Sequence, residues 1–107
     1  MKTILAMAML LGLALPAAAQ SGLASWYEEG KQTANGERFN PDGLTCAHRS
    51  LPFGTLLKVS HNGRSTVCRV NDRGPFVHGR VLDLSRGTAR ALGVLGAGVV
   101  RVDFHEL

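Results

Sequence analysis

From Leu23 onward, short apolar or alternating runs are separated by turn residues at close and regular intervals. The runs cover residues 23–27, 44–47, 55–61, 65–71, 80–84 and 99–104. Between them stand Gly30, Asn35-Gly36, the "NPDG" from Asn40 to Gly43, Pro52 to Gly54, Asn62-Gly63, and Arg73 to Pro75. Short strands at this spacing predict an all-β barrel or sandwich. Asn62-Gly63 between two strand runs predicts a two-residue hairpin. In the last run Val100, Val102 and Phe104 alternate with Arg101, Asp103 and His105, the pattern of a half-buried strand. One helix is predicted over residues 86–92, with Ser85 as its N-cap and Gly93 in the left-handed position that ends it.

The first nineteen residues follow another rule. Lys2 precedes an apolar run from Ile4 to Leu15, then Pro16 and three alanines lead to the polar Gln20. That is the layout of a secretory signal peptide with an A-x-A cleavage site, and the apolar run is short for a membrane span. Residues 1–19 are therefore expected to be a leader and residues 20–107 one domain, periplasmic or secreted. No cysteine stands at the cleavage point, so no stable membrane anchor is expected. Export also changes the meaning of the two cysteines. Cys46 and Cys68 in an oxidising compartment most simply form one disulfide; two free buried thiols are the alternative.

The 107-residue chain carries a net charge of +4, a mild balance suited to anionic surroundings such as a bacterial wall. Its 12 cations are scattered and its aromatics few, which argues against a nucleic-acid partner. The four histidines and two cysteines show no metal-ligand spacing, and there is no GxSxG or phosphate-binding loop. Neither metal nor cofactor is expected, and the protein is expected to act as a monomer.

The stretch "CRVNDRGPF" holds the most suggestive residue, Asp72, at the end of a strand run. If Cys68 and Val70 point inward, alternation points Asp72 inward too, at the mouth of a barrel. A carboxylate partly withdrawn from water there is suited to general acid work. Alternatively, Asp72 caps the turn by accepting backbone N–H bonds. His48 lies two residues past Cys46 and Asp72 four past Cys68. If the cysteines are bonded and the strands antiparallel, His48 and Asp72 diverge to roughly 20 Å at about 3.3 Å per residue. A joint site therefore requires parallel or crossing strands, linked by a crossover for which residues 49–65 offer the length.

Several segments together strongly resemble rare lipoprotein A-like proteins: "GLASWY", "TANGERF", "LTCAHRSLPFGT", "NGRSTVCRVNDRGPFVHGRVLDLS" and "ARALG". The resemblance covers nearly all of residues 20–107, in order. It implies a six-stranded double-psi β-barrel with one short helix. It also implies a lytic transglycosylase that cuts peptidoglycan glycan strands between N-acetylmuramic acid and N-acetylglucosamine, leaving a 1,6-anhydro ring. Asp72 matches the family's catalytic aspartate, and Glu37 and His48 match two further members of its active-site cluster. Where the family often has another acid, this chain has Asn40, which leaves Asn40 a substrate-binding role. Trp26 and Tyr27 are candidates for stacking on sugar rings or for barrel packing. Arg49 and Arg73 are candidate contacts for wall-polymer carboxylates, and Asn71 is a further candidate substrate contact. Two other outcomes stand beside catalysis: a non-catalytic wall-binding module like the barrels of expansins, and a hydrolase using Glu37 or Asp83 as a second carboxylate.

Overall fold

The computed structural model describes residues 19–107, so the expected leader, apart from its last residue, lies outside the described residues. Six strands form: β1 (Gln20–Tyr27), β2 (Thr45–Ala47), β3 (Leu56–His61), β4 (Arg64–Asp72), β5 (Arg80–Ser85) and β6 (Val99–Glu106). They close into a barrel in the order β1-β5-β2-β4-β3-β6. β1 runs parallel to β5 and β2 parallel to β4, while the other four neighbours are antiparallel. Since β2 and β4 are parallel, β3 has to lie in the connection between them, and it pairs with β4 on the far side.

Alternation places the core. Leu57 and Val59 of β3, Cys68 and Val70 of β4, Leu82 and Leu84 of β5, and Val102 and Phe104 of β6 are all buried in one cluster. Their intervening neighbours face outward, as a period of two requires. The β3–β4 turn is the expected hairpin. Asn62 and Gly63 have φ of 47° and 79°, the left-handed pair that a type I′ turn demands.

Helix α1 (Arg86–Leu92) follows β5 directly and buries Ala89 and Leu92 against the same cluster. Ser85 accepts a hydrogen bond from the Thr88 amide at 3.1 Å, and Gly93 ends the helix at φ 74°. A Cβ on Gly87 would lie 2.4 Å from the Asp42 carbonyl oxygen. Glycine alone lets the first helical turn rest on the 40–43 turn. Among the described residues, no helix is long and apolar enough to cross a membrane.

Cys46 and Cys68 form the expected disulfide, with Cα atoms 5.8 Å apart and 22 residues of sequence separation. It ties β2, a strand of only three residues, to β4 inside the core. Removing it by Cys46→Ala/Cys68→Ala should lower the unfolding free energy by about 3 kcal/mol, the loop-closure contribution for a loop of this size. Urea denaturation of the two proteins at neutral pH measures the difference.

Candidate active site

A single row of side chains crosses four strands. Ser25 of β1 pairs with Asp83 of β5, Asp83 pairs with Ala47 of β2, and Ala47 pairs with Asp72 of β4. Asp83 stands between the buried Leu82 and Leu84, so alternation turns it to the outer wall of the barrel. Asp72 reaches that wall by a different route. Cys46 pairs with Val70 but Ala47 pairs with Asp72, so β4 carries a bulge at Asn71. The extra residue breaks the alternation that would have pointed Asp72 inward with Cys68 and Val70. The site thus lies on the outer wall rather than in the mouth of the barrel. Two strand spacings separate the Asp72 and Asp83 backbones, about 9.6 Å, with only the Ala47 methyl between them.

Both carboxylates line one cleft of about 280 Å³, together with Tyr27, Ala47 and Arg73. Its remaining wall comes from the segment after β1, including Glu29, Gln32 and Phe39. That segment folds back as a small hairpin, with Gln32 bridged to Arg38. Four anchors hold it. The Asn35 amide donates to the Asn71 carbonyl at 3.2 Å, and the Ala34 amide donates to Asp72 Oδ1 at 2.9 Å. The Phe39 ring stacks on Tyr27 at 4.7 Å between centroids. Finally, both guanidinium nitrogens of Arg69 reach the Glu37 carboxylate.

Asp72 collects three donors: the Tyr27 hydroxyl at 3.2 Å on Oδ2, and the Ala34 and Arg73 amides, each at 2.9 Å, on Oδ1. Asp83 accepts from the Ser25 hydroxyl at 2.5 Å. The Tyr27 phenol is pushed well above its ordinary pKa, first by burial and then by the negative charge and hydrogen bond of Asp72, with Asp83 adding to it. Tyr27 is therefore a neutral donor and acceptor at any working pH.

The other expected residues are placed as follows. Glu37 does not touch Asp72. Its carboxyl is pulled from 4.5 down to about 2, chiefly by the Arg69 hydrogen bonds and also by Asn35, so it stays ionised as an anchor. His48 follows Ala47 and therefore turns to the opposite face of the sheet. Its ring meets Phe104 of the core edge-on at 6.0 Å, and its Nδ1 accepts the Ser50 and Leu51 amides, both at 3.0 Å. Burial, reinforced by Arg49 and Arg73, lowers its pKa. His48 meets Asp72 only through the backbone, its N–H donating to the Asp72 carbonyl at 3.3 Å. The parallel pairing brings these two residues together, but on opposite faces.

Trp26 packs against the core with its indole N–H on the Leu95 carbonyl at 3.2 Å, so barrel packing is its role and Tyr27 alone of that pair lines the cleft. Asn71 is 2% exposed and lies under the hairpin. Asn40 caps its own turn, accepting the Asp42 amide at 3.0 Å. Arg49 donates to the Arg80 carbonyl at 2.9 Å. Arg73 donates to the His48 and Leu51 carbonyls at 3.2 and 2.8 Å and lies 3.9 Å over the Phe53 ring. Asp83 is the site residue that carried least weight in the sequence. Alone, an acid between two core leucines reads as an ordinary solvated strand residue, and only its cross-strand neighbours single it out.

A closed barrel with two parallel crossings and an acidic cleft on its outer wall belongs to the double-psi class. Residues 19–104 match the lytic transglycolase family, and the chain belongs to this rare lipoprotein A-like double-psi β-barrel family. A Nostoc sp. protein named "Probable endolytic peptidoglycan transglycosylase RlpA" is 58% identical over 93 residues, covering 80% of this chain and 25% of that protein. The chain spans about a quarter of the length of that relative. Among solved structures, a Streptomyces papain inhibitor aligns with TM-score 0.73 at 22% identity, over 88% of this chain and 99% of its own. An expansin from Clavibacter michiganensis aligns with TM-score 0.71 at 23% identity, over 84% and 50%. At those identities the likeness is one of fold, and it spans unrelated activities.

The Glu37–Arg69 anchor has a definite pH signature. Glu37 has a folded pKa below its unfolded value, so its contribution is complete above about 4.5 and is lost as pH falls from about 4.5 toward about 2. The denaturation midpoint of Glu37→Gln should match that of the unaltered protein at about pH 2 and fall below it by pH 6. Parallel pH series of chemical denaturation check this.

Proposed function

We propose that this domain is an endolytic peptidoglycan lytic transglycosylase acting outside the cytoplasm, with residues 1–19 as its export leader. The observation that carries the proposal is the pair Asp72 and Asp83 opening into one cleft across Ala47. Membership of the lytic transglycolase family and the name of its Nostoc relative support the same substrate.

The reaction breaks the bond from C1 of N-acetylmuramic acid to O4 of N-acetylglucosamine and forms a bond from C1 to the same muramyl unit's O6. A proton must reach the departing O4 and another must leave O6, so one carboxyl group can give and then regain it. Asp72 is assigned that work. Of its three partners, the two amides can only donate, whereas the Tyr27 hydroxyl can donate or accept. Only Oδ2, facing Tyr27, can carry the proton without losing a partner. Asp83, oriented by the Ser25 hydroxyl, is assigned the electrostatic part of the catalysis, facing the sugar carbon as it becomes electron-poor. Because the nucleophile comes from the substrate, the cleft has no need to position a water between two carboxylates.

The pairing of Asp72 with Asp83 also supports a hydrolytic reading, in which Asp83 activates water, and the products separate the two. Incubating the protein with purified peptidoglycan and weighing the fragments by mass spectrometry should reveal 1,6-anhydro ends. Reducing ends would mean hydrolysis, and co-sedimentation without fragments a wall-binding module of the expansin kind. Asp72→Asn should lower fragment release by at least about 10²-fold, and Asp83→Asn by about 10²-fold. Tyr27→Phe, which removes the accommodating hydroxyl, should cost about tenfold or more. Full release by Asp72→Asn would remove Asp72 from its assigned role.

A further inference from the structure

Phe76 is 79% exposed, although the two residues before it, Gly74 and Pro75, are buried. The loop that carries it is pinned at both ends. At one end the Asp72 carbonyl accepts the His48 amide at 3.3 Å, and at the other the Gly79 carbonyl accepts the Leu23 amide at 3.3 Å. Arg49 also donates to the carbonyl of Arg80 at 2.9 Å. A large apolar ring held out from an anchored loop, with its own neighbours tucked in, is presented rather than left over.

Its location is specific. A Cβ built on Gly74 would lie 3.6 Å from Cε2 of Phe76 and 3.8 Å from Oδ2 of Asp83. The ring and the carboxylate thus flank the bare backbone of Gly74, where φ is 118°, and any side chain there would enter the gap between them. Phe76 sets an aromatic ring beside Asp83, at the edge of a cleft lined by acids.

We infer that Phe76 is a stacking platform for a pyranose ring, the subsite that receives the sugar next to the bond handled by Asp72 and Asp83. The inference rests on the proposed glycan-cleaving role of that cleft. A pyranose presents axial C–H groups on one face, and an aromatic ring with its electron-rich face is their natural complement. Binding clefts for such ligands join aromatic walls to a few placed polar groups, which is the arrangement of Phe76 and Asp83. An N-acetylglucosamine ring is uncharged, so it can bridge the carboxylate side and the aromatic side without burying an unpaired charge.

Peptide-free glycan strands prepared from peptidoglycan are the probe, with Asp72→Asn as the background that prevents turnover during binding. Phe76→Ala in that background should weaken binding about tenfold, the upper range of one aromatic contact. Phe76→Trp should bind within about twofold of the parent, and its fluorescence should shift to shorter wavelength and saturate with the glycan. The chain's one tryptophan, Trp26, is committed to the Leu95 carbonyl, so a new glycan-dependent signal reports position 76. Because Phe76 is exposed, both variants should melt with the parent. In active protein, Phe76→Ala should raise KM and leave kcat within about twofold, since the contact is made equally in ground and transition states. Unchanged binding by Phe76→Ala, an unmoved Phe76→Trp emission at saturation, or a loss confined to kcat each overturns the platform. So does an emission shift produced by phospholipid vesicles and not by glycan. Anhydro products from the unaltered protein alongside unimpaired Phe76→Ala binding would remove the platform and keep the lytic role. Phe76-dependent binding without any product would keep the platform and remove the lytic role, and no glycan binding at all would remove both.

Discussion

One bulge in one strand decides which face of the sheet Asp72 occupies. Without the extra residue at Asn71, regular pairing would set Asn71 opposite Ala47 and turn Asp72 toward the core beside Val70. With it, Asp72 joins Ala47, Asp83 and Ser25 in a single outward row across β4, β2, β5 and β1. That row exists only because β2 lies between β4 and β5, parallel to one and antiparallel to the other. A strand of three residues makes few hydrogen bonds of its own, and the Cys46–Cys68 bridge fixes it one residue before the row. Disulfide, bulge and carboxylate pair are thus consecutive steps of one geometric constraint. Ala47 completes it, since a larger side chain at the centre of the row would fill the space that the two acids face.

The strands, the Asn62-Gly63 hairpin and both ends of helix α1 were legible in the sequence because each rests on a local rule. Alternation marks the strands, paired left-handed residues mark the turn, and Ser85 and Gly93 mark the caps. The need for parallel neighbours was also legible, because a Cys46–Cys68 bond and a His48–Asp72 meeting cannot coexist in an antiparallel pair. What alternation could not reveal was the point at which alternation fails. A bulge is set by how two strands distant in sequence align, and nothing in "VNDRG" announces it. The same blindness put His48 beside Asp72 in space but not on its face of the sheet. Asp83 went the other way: its outward position followed from Leu82 and Leu84, yet its partner across two strands did not.

Glu37 and Arg69 show how an ion pair outside the cleft can shape it. A carboxylate drawn down to about 2 by a bidentate guanidinium holds no proton to give near neutral pH. What it holds is the hairpin that brings the Ala34 amide onto Asp72 and Phe39 onto Tyr27. Sequence resemblance groups Glu37, His48 and Asp72, and the structure places Glu37 on Arg69, His48 against Phe104 and Asp72, alone of the three, in the cleft. His48 supports from beneath, gathering the Ser50 and Leu51 amides on its ring while its own amide closes onto the Asp72 backbone. Substitutions at either position would disturb the site through geometry.

Asp72 and Asp83 share their cleft with Glu29, and the surroundings of the two aspartates differ. Asp72 is surrounded by donors, and of these only Tyr27 can reverse its role. In the proposed reaction that leaves the proton to Oδ2, the oxygen that Tyr27 contacts. Burial keeps the Tyr27 phenol protonated, so it does not compete for the charge it helps to distribute. Asp83 lies across Ala47 with a serine donor and no phenol, a setting that fixes its orientation. The asymmetry comes from strand neighbours: β1 supplies Tyr27 to Asp72 over the top of the row and Ser25 to Asp83 within it. A single strand thus gives two chemically identical side chains different surroundings.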